Sequence, residues 1–255
     1  MSSIDDRPSA KRRNQFTDFN GTLFPSAMAF ISALVEAICF IGLFQLFTSF
    51  ITGNMIMIGV ELADDDPQIL AKLFVLPLYI AACIMWSWLY HDTPKPSPTA
   101  IRRALLAQAV FLALALVLAL GFSPISKSDW LAIILVATPT VFATTLQIIT
   151  LRHQIITQPH TTIMTGNIAQ ISITILECFY NRTASRNASE REHDSYDHKS
   201  IRHQFAIIAG FFAGGVSGGL GYFSFGFGFL IVPILILIFF ASLGGISSET
   251  PSDRE

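Results

Sequence analysis

Charge is what this chain has least of. Only 13% of its 255 residues are Asp, Glu, Lys or Arg, about half the share of an ordinary soluble domain. The net charge is −2 and no basic stripe is interleaved with aromatics, so nucleic acid is excluded as a partner. Cysteine is scarce too. Cys39, Cys83 and Cys178 have no paired spacing, which argues against a disulfide framework or a zinc site. Ser-His-Asp arrangements, His-Glu-x-x-His runs and Walker loops are missing. His153 and His160 stand without a carboxylate at ligand spacing and read as solvated interface residues. The expectation is a protein that is not an enzyme and holds no metal or cofactor. The N-terminus lacks a short apolar core followed by a small-residue cleavage site, so the first apolar run is expected to act as the targeting signal.

Apolar residues are present in excess. They make up 52% of the chain and include 22 Phe. They gather into runs long enough to cross a bilayer core, which needs about 20 apolar residues per helix. The runs span roughly 22–47, 69–90, 104–122, 130–149, 205–223 and 227–243. The first continues with one charge, Glu36, through Thr48-Ser49-Phe50-Ile51-Thr52-Gly53-Asn54 to Val60, too long for one span; the acidic stretch 61–67 ends it. Three prolines break the chain between His91 and Thr99. A shorter apolar segment covers about 161–176. Residues 1–21 read as a disordered cytoplasmic N-terminus, 181–204 as a flexible polar linker and 244–255 as a polar tail.

The basic residues orient these spans. With six spans and a cytoplasmic N-terminus, only Lys72 and Lys127 of the 16 Lys and Arg fall on the outer side. The Asp64-Asp65-Asp66 cluster lies outside as well. That satisfies the positive-inside rule, with both termini cytoplasmic. Eight spans would place Lys95, Arg102 and Arg103 outside, and seven would export the basic linker; both are disfavoured by the same rule. The sequons at Asn181 and Asn187 then lie in the cytosol and stay unmodified.

A duplicated motif carries the strongest signal. Thr48-Ser49-Phe50-Ile51-Thr52-Gly53-Asn54 matches Thr161-Thr162-Ile163-Met164-Thr165-Gly166-Asn167, at an offset of 167 − 54 = 113 residues. Each copy follows one span and precedes two more. Three spans per copy make the copies enter the membrane oppositely, as in inverted-repeat transporters. The expected fold is an all-α membrane protein of six transmembrane helices. Residues 22–122 and 130–243 form two inverted three-helix repeats, with broken or re-entrant segments at the Thr-Gly-Asn motifs. Gly frees the backbone to break, and Thr and Asn can satisfy the amides and carbonyls thus exposed. The competing reading makes both motifs caps and packing notches between helices.

These paired motifs in a short hydrophobic chain resemble the YoaK-like family of membrane proteins, whose function is unassigned. The resemblance covers about residues 25–242. Glu36 stands where that family tends to carry an acidic residue, usually Asp, ahead of the first motif. Gln147 stands where it tends to carry Gln ahead of the second, followed here by Ile148 rather than Asn. The resemblance implies no reaction or substrate.

Glu36 shares a helix face with Ala29, Ser32 and Ala33, so it is expected to point into the bundle. Intramembrane carboxylates mark ion or proton paths, although hydrogen bonding alone can also account for one. Gln147 and Arg152 are candidate partners, Arg152 being better placed to snorkel to the interface. Gly210, Gly214 and Gly218, with Gly215 and Gly219, form a small-residue face suited to close helix packing. The leading expectation is a small-solute transporter or permease whose substrate site is Glu36, Thr52, Gly53, Asn54, Gln147, Thr165, Gly166 and Asn167. The alternative is a scaffold that binds protein or lipid partners without transport. The expected partners are the lipid bilayer, a small molecule or ion, and a second copy of the chain.

Overall fold

The computed structural model describes the backbone of residues 10–64, 66, 68–93, 97–154 and 188–246, with positions 164, 166, 168, 169, 171–173, 175 and 176 between them. Side chains are described for the same residues except 10–21, 188–200 and 244–246. Among the described residues the regular structure is entirely helical. It comprises α1 (Ala10–Gly42), α2 (Ile51–Asp64), α3 (Ile69–Tyr90), α4 (Pro98–Gly121), α5 (Trp130–Gln154), α6 (Ala188–Phe225) and α7 (Ile231–Ile246). A 3₁₀ turn, Gly226–Leu230, joins α6 to α7. Five stretches are long and apolar enough to cross a membrane: Thr22–Gly42, Ile69–Tyr90, Pro98–Gly121, Trp130–Gln154 and the 43-residue Ile201–Leu243. The last contains α6, the turn and α7.

Local chemistry sets several boundaries. Ser97 caps α4 by accepting the Ala100 N–H at 3.3 Å, and Pro98 follows at the first helical position, where a missing N–H costs nothing. The proline-rich breaker therefore ends in a helix start. Two polar stretches differ from the sequence reading. The helix of α1 begins at Ala10, inside the segment expected to be disordered, and α6 begins at Ala188, inside the expected flexible linker. Neither Ala10–Asn20 nor Ala188–Gln204 contains Gly or Pro, so both can propagate as polar extensions of an apolar helix. Glu61, expected in a loop, lies in α2 and is buried. The sequons at Asn181 and Asn187, and Cys178, lie outside the described residues.

Side-chain contacts fix the helix directions. Gly210, Gly214 and Gly218 of α6 face Ser26, Phe30 and Leu34 of α1, so these two helices run parallel. A Cβ built on Gly210 would meet Ser26 O at 2.6 Å, and one on Gly218 would meet Leu34 O at 2.5 Å. Only glycine lets the backbones come this close. Gly215 meets nothing and Gly219 only Ile41 at 4.0 Å, so those two do not share the packed face. Phe227 of the turn sits at Gly42 and Phe240 of α7 at Phe24, so α7 runs against α1. A glycine with φ +56°, Gly226, lies in the connecting turn.

The other directions follow from α5, the most enclosed of the apolar stretches. Gln147 reaches Met28 of α1 while Thr140 lies beside Cys39, so α5 runs against α1. Trp86 bonds Phe142 O and Thr150 bonds Tyr90, so α3 runs with α5. Ser97 meets Gln154, and Phe111 stacks on Phe142, so α4 runs against α5. Helices α1, α3, α4, α5, α6 and α7 thus alternate in direction. Hydroxyls on α5 bond back to its own carbonyls, Thr140 to Val136 and Thr145 to Val141, which lets polar residues occupy a buried apolar helix. Large apolar side chains such as Ile84, Val110, Phe212 and Leu235 stay exposed on the outer faces. A protein with this surface is an integral membrane protein whose outer faces meet lipid.

Candidate functional site

The chain re-enters after α1. The last helical bond runs from Leu43 N–H to Cys39 O at 2.8 Å, and a wider one from Gln45 N–H to Phe40 O at 2.7 Å closes the end of α1. Phe44 and Gln45 adopt φ +56° and +65°, a left-handed pair in which neither residue is glycine. That conformation costs roughly 1–2 kcal/mol per residue, so tertiary contacts must hold it. The turn brings Thr48, Ser49 and Phe50 back to the level of Glu36, six residues before the end of α1 and thus about 9 Å inside that end. There α2 begins.

Glu36 closes the start of α2 from a different helix. Its Oε1 accepts from Thr48 N–H at 2.9 Å and from Phe50 N–H at 3.4 Å. Its Oε2 accepts from Thr48 Oγ1 at 2.9 Å, Ser49 Oγ at 2.7 Å and Ser49 N–H at 3.1 Å. Thr48 and Ser49 precede α2 and Phe50 caps it, so their N–H groups have no partner within the helix, whose dipole favours an anion at this end. Thr144 of α5 adds a hydroxyl bond of 3.4 Å to Thr48 O, tying the loop to the central helix.

The Thr-Gly-Asn motif completes the fold-back. Asn54 is fully buried; its Oδ1 accepts the Phe47 N–H at 2.9 Å and its Nδ2 donates to Phe47 O at 2.7 Å. A side-chain amide thereby pairs with a main-chain peptide as a neighbouring strand would. Gly53 does not break the helix as expected, for it lies within α2 without a left-handed φ; it serves packing, since a Cβ there would meet the Phe47 ring at 2.8 Å. Phe47 in turn lies on Phe40 at a centroid distance of 4.7 Å. Thr52 is exposed on the outer side of α2.

At the far end of α2, Glu61 pairs with Lys72 of α3, and both are buried. Lys72 also donates to Phe44 O at 3.4 Å, steadying the left-handed turn. On the loop beyond, Lys127 pairs with Asp66 at 2.6 Å and holds its carboxyl below the ordinary carboxylate range. Both cations that the charge rule assigns to the outer side are therefore matched by acids.

Of the predicted site residues, Glu36, Gly53 and Asn54 come together around the re-entrant turn. Gln147 does not reach Glu36. Its Nε2 donates to Met28 O at 2.9 Å and its Oε1 accepts from Gln108 Nε2 at 2.6 Å, joining α1, α4 and α5. Arg152 is exposed at the end of α5 and does not pair with Glu36. Gly166 is exposed at a helical position, whereas Thr165 and Asn167 lie outside the described residues. Met164 of the second motif packs with Ala29 and Ile207, and Phe211 beside them stacks towards Phe50 of the first motif at 6.4 Å. Thr48, Ser49, Gln108, Lys72 and Glu61 were not among the predicted site residues. The signals for them were the two hydroxyls opening the first motif, the lone amide of the third apolar run, and the lone cation near the start of the second.

The fold and this junction define a polytopic helical membrane protein with a short folded-back helix stapled at its start to the bundle. Residues 24–243 match the family described as protein of unknown function (DUF1275), and since that is most of the chain, the chain belongs to this family. The YoaK-like resemblance is consistent with that membership. No curated protein and no solved structure matches the chain.

Proposed function

We propose that the chain is a six-pass membrane protein built as two inverted repeats and acts as a small-solute permease, with the Glu36 junction as its moving part. Six alternating helix directions support six passes, α6 and α7 counting separately because one runs with α1 and the other against it. Inversion is supported by reciprocal packing: α1, which opens the first half, lies parallel to α6 of the second, and α5, which opens the second, lies parallel to α3 of the first. The basic segments then place both termini in the cytoplasm. The observation that carries the transport reading is a broken helix whose N-terminus is closed by an intramembrane carboxylate. Such half-helices are where inverted-repeat transporters handle ions and substrates. Glu36 can release Thr48 to Phe50 by taking up a proton, and that links a titratable group to movement of α2. The site would comprise Glu36, Thr52, Gly53 and Asn54 with the second motif's Thr165, Gly166 and Asn167; Gln147 braces it from outside.

A second reading, a scaffold without transport, is favoured by the completeness of the internal bonding: the Glu36 oxygens and the Asn54 amide are all engaged within the chain. Flux into sealed vesicles carrying the purified chain separates the two. Transport requires uptake of some small anion, cation or neutral solute that Glu36→Gln abolishes while the variant remains folded. Absence of flux across a broad solute panel, with Glu36→Gln altering only stability, leaves the scaffold. Impermeant thiol labelling of single cysteines at Ser3, Ser126 and Ser252, in a chain lacking its native cysteines, tests the topology; labelling of Ser126 from the same side as the other two rules out six passes.

A further inference from the structure

We propose that a bound water molecule is a built-in part of the joint between α2 and α3, held by Glu61, Gln68 and Lys72. The three side chains are almost wholly buried, at 5%, 3% and 1% exposure. Lys72 has three N–H donors and spends two, on Glu61 Oε1 and on Phe44 O. Glu61 Oε2 is buried without a donor, and Gln68 Nε2 is buried without an acceptor. The lone acceptor belongs to the carboxylate that pairs with the ammonium, and the lone donor to a side chain one turn before it on α3.

The backbone brings them together. Asp66 N–H bonds Glu61 O at 3.0 Å, and Asp66 Oδ1 accepts the Gln68 N–H at 3.1 Å, so the loop closes Gln68 onto the end of α2. Gln68 lies one turn ahead of Lys72, whose N–H bonds Gln68 O at 3.3 Å. Both side chains therefore leave the same face of α3 that meets Glu61.

The chemistry selects the occupant. A metal cation is opposed by the Lys72 ammonium and the Gln68 amide hydrogens, and an anion by the Glu61 carboxylate. A neutral molecule that both gives and accepts hydrogen bonds matches all three groups. Water gives one hydrogen to Glu61 Oε2 and accepts from Gln68 Nε2 and the third Lys72 N–H. Three bonds are the usual complement of a buried water.

The test uses the full chain in detergent and reads the thermal midpoint of Gln68→Met, a substitution of similar length without the amide. If Gln68 Nε2 truly had no partner, removing it would relieve a desolvation cost and raise the midpoint. With the water in place, the substitution strips it of a partner and lowers the midpoint, weakening the folding equilibrium by roughly tenfold. A midpoint equal to or above the wild type overturns the proposal. A density map that resolves ordered waters gives a second decision, independent of whether the variant folds. A peak within about 2.7–3.2 Å of both Glu61 Oε2 and Gln68 Nε2 is expected, and its absence at a resolution that shows other buried waters overturns the proposal.

Discussion

Removing the Glu36 carboxylate should unfasten the re-entrant segment before it disturbs anything else. Glu36→Ala strands three backbone N–H groups, those of Thr48, Ser49 and Phe50, and two hydroxyls. The hydroxyls can rotate to nearby carbonyls, but the amides cannot. At about 1–3 kcal/mol for each stranded buried donor, the loss is roughly 3–9 kcal/mol. Hydrogen bonds in membrane proteins tend to be worth about 1 kcal/mol or less, which favours the lower end, about 3 kcal/mol. Glu36→Gln should cost much less. Its carbonyl can take the place of Oε1 and keep the Thr48 and Phe50 amides, and the hydroxyls can turn to accept from its NH₂. The Ser49 N–H, shared between Oε1 at 3.3 Å and Oε2 at 3.1 Å, keeps the first bond and loses the second, so the cost is mainly the lost charge assistance, about 1 kcal/mol. Unfolding in mixed micelles should rank wild type above Glu36→Gln above Glu36→Ala. Cys39, fully buried one turn beyond Glu36, supplies a local readout: its alkylation should accelerate in Glu36→Ala when the other cysteines are removed. Equal stability of all three proteins, or alanine and glutamine variants that fall together, would refute the closure argument.

Other consequences are equally specific. Gly214→Ala should destabilise by about 1–3 kcal/mol, because the new methyl overlaps Phe30 O, whereas Gly215→Ala next to it should be neutral or slightly stabilising; thermal melts of the pair decide. Gln45→Gly should raise stability by about 1 kcal/mol, since Gln45 is exposed at φ +65° and glycine adopts that conformation freely; an unchanged or lower midpoint contradicts the strain assigned to the turn. Asn54→Asp keeps the acceptor for Phe47 N–H but loses the donor to Phe47 O, so it should melt lower than wild type, a difference readable by scanning fluorimetry. The Asp66 carboxyl is held low by Lys127, so the pair favours the folded state above the ordinary Asp range near pH 4 and loses that contribution as pH falls through the lowered value. Lys127→Ala should shrink this acid-side dependence, leaving the smaller part due to the Gln68 N–H and Lys72, and high salt should weaken it, as followed by melts between pH 2 and 6.

Much of this architecture can be read directly from residue order. A bilayer demands long apolar runs, so the apolar helices are written in composition. The first Thr-Gly-Asn lies within α2 just after the break, where a residue without a Cβ packs against the Phe47 ring; the break itself is made at Phe44 and Gln45, which no glycine marks. The small-residue stripe of α6 announces a close neighbour. Three of its glycines have one in α1, while Gly215, on the same helix, points to open space. That difference depends on where α1 lies, which no spacing within α6 contains.

Partner choice belongs to the tertiary structure. Sequence singled out Glu36 and Gln147 as polar groups in an apolar setting, and pairing them was reasonable because each needs a partner in lipid. The fold instead gives Glu36 the amides of its own chain 12–14 residues later and gives Gln147 a carbonyl of α1 and an amide of α4. Lys72 shows the same limit: a lone cation at the outer end of a span reads as a topological charge, yet burial against Glu61 makes it a clamp. Composition fixes that such groups must be satisfied, because no water competes inside a bilayer. Which donor meets which acceptor depends on helix directions and on a chain reversal of a few residues, and these exist only once the helices have packed.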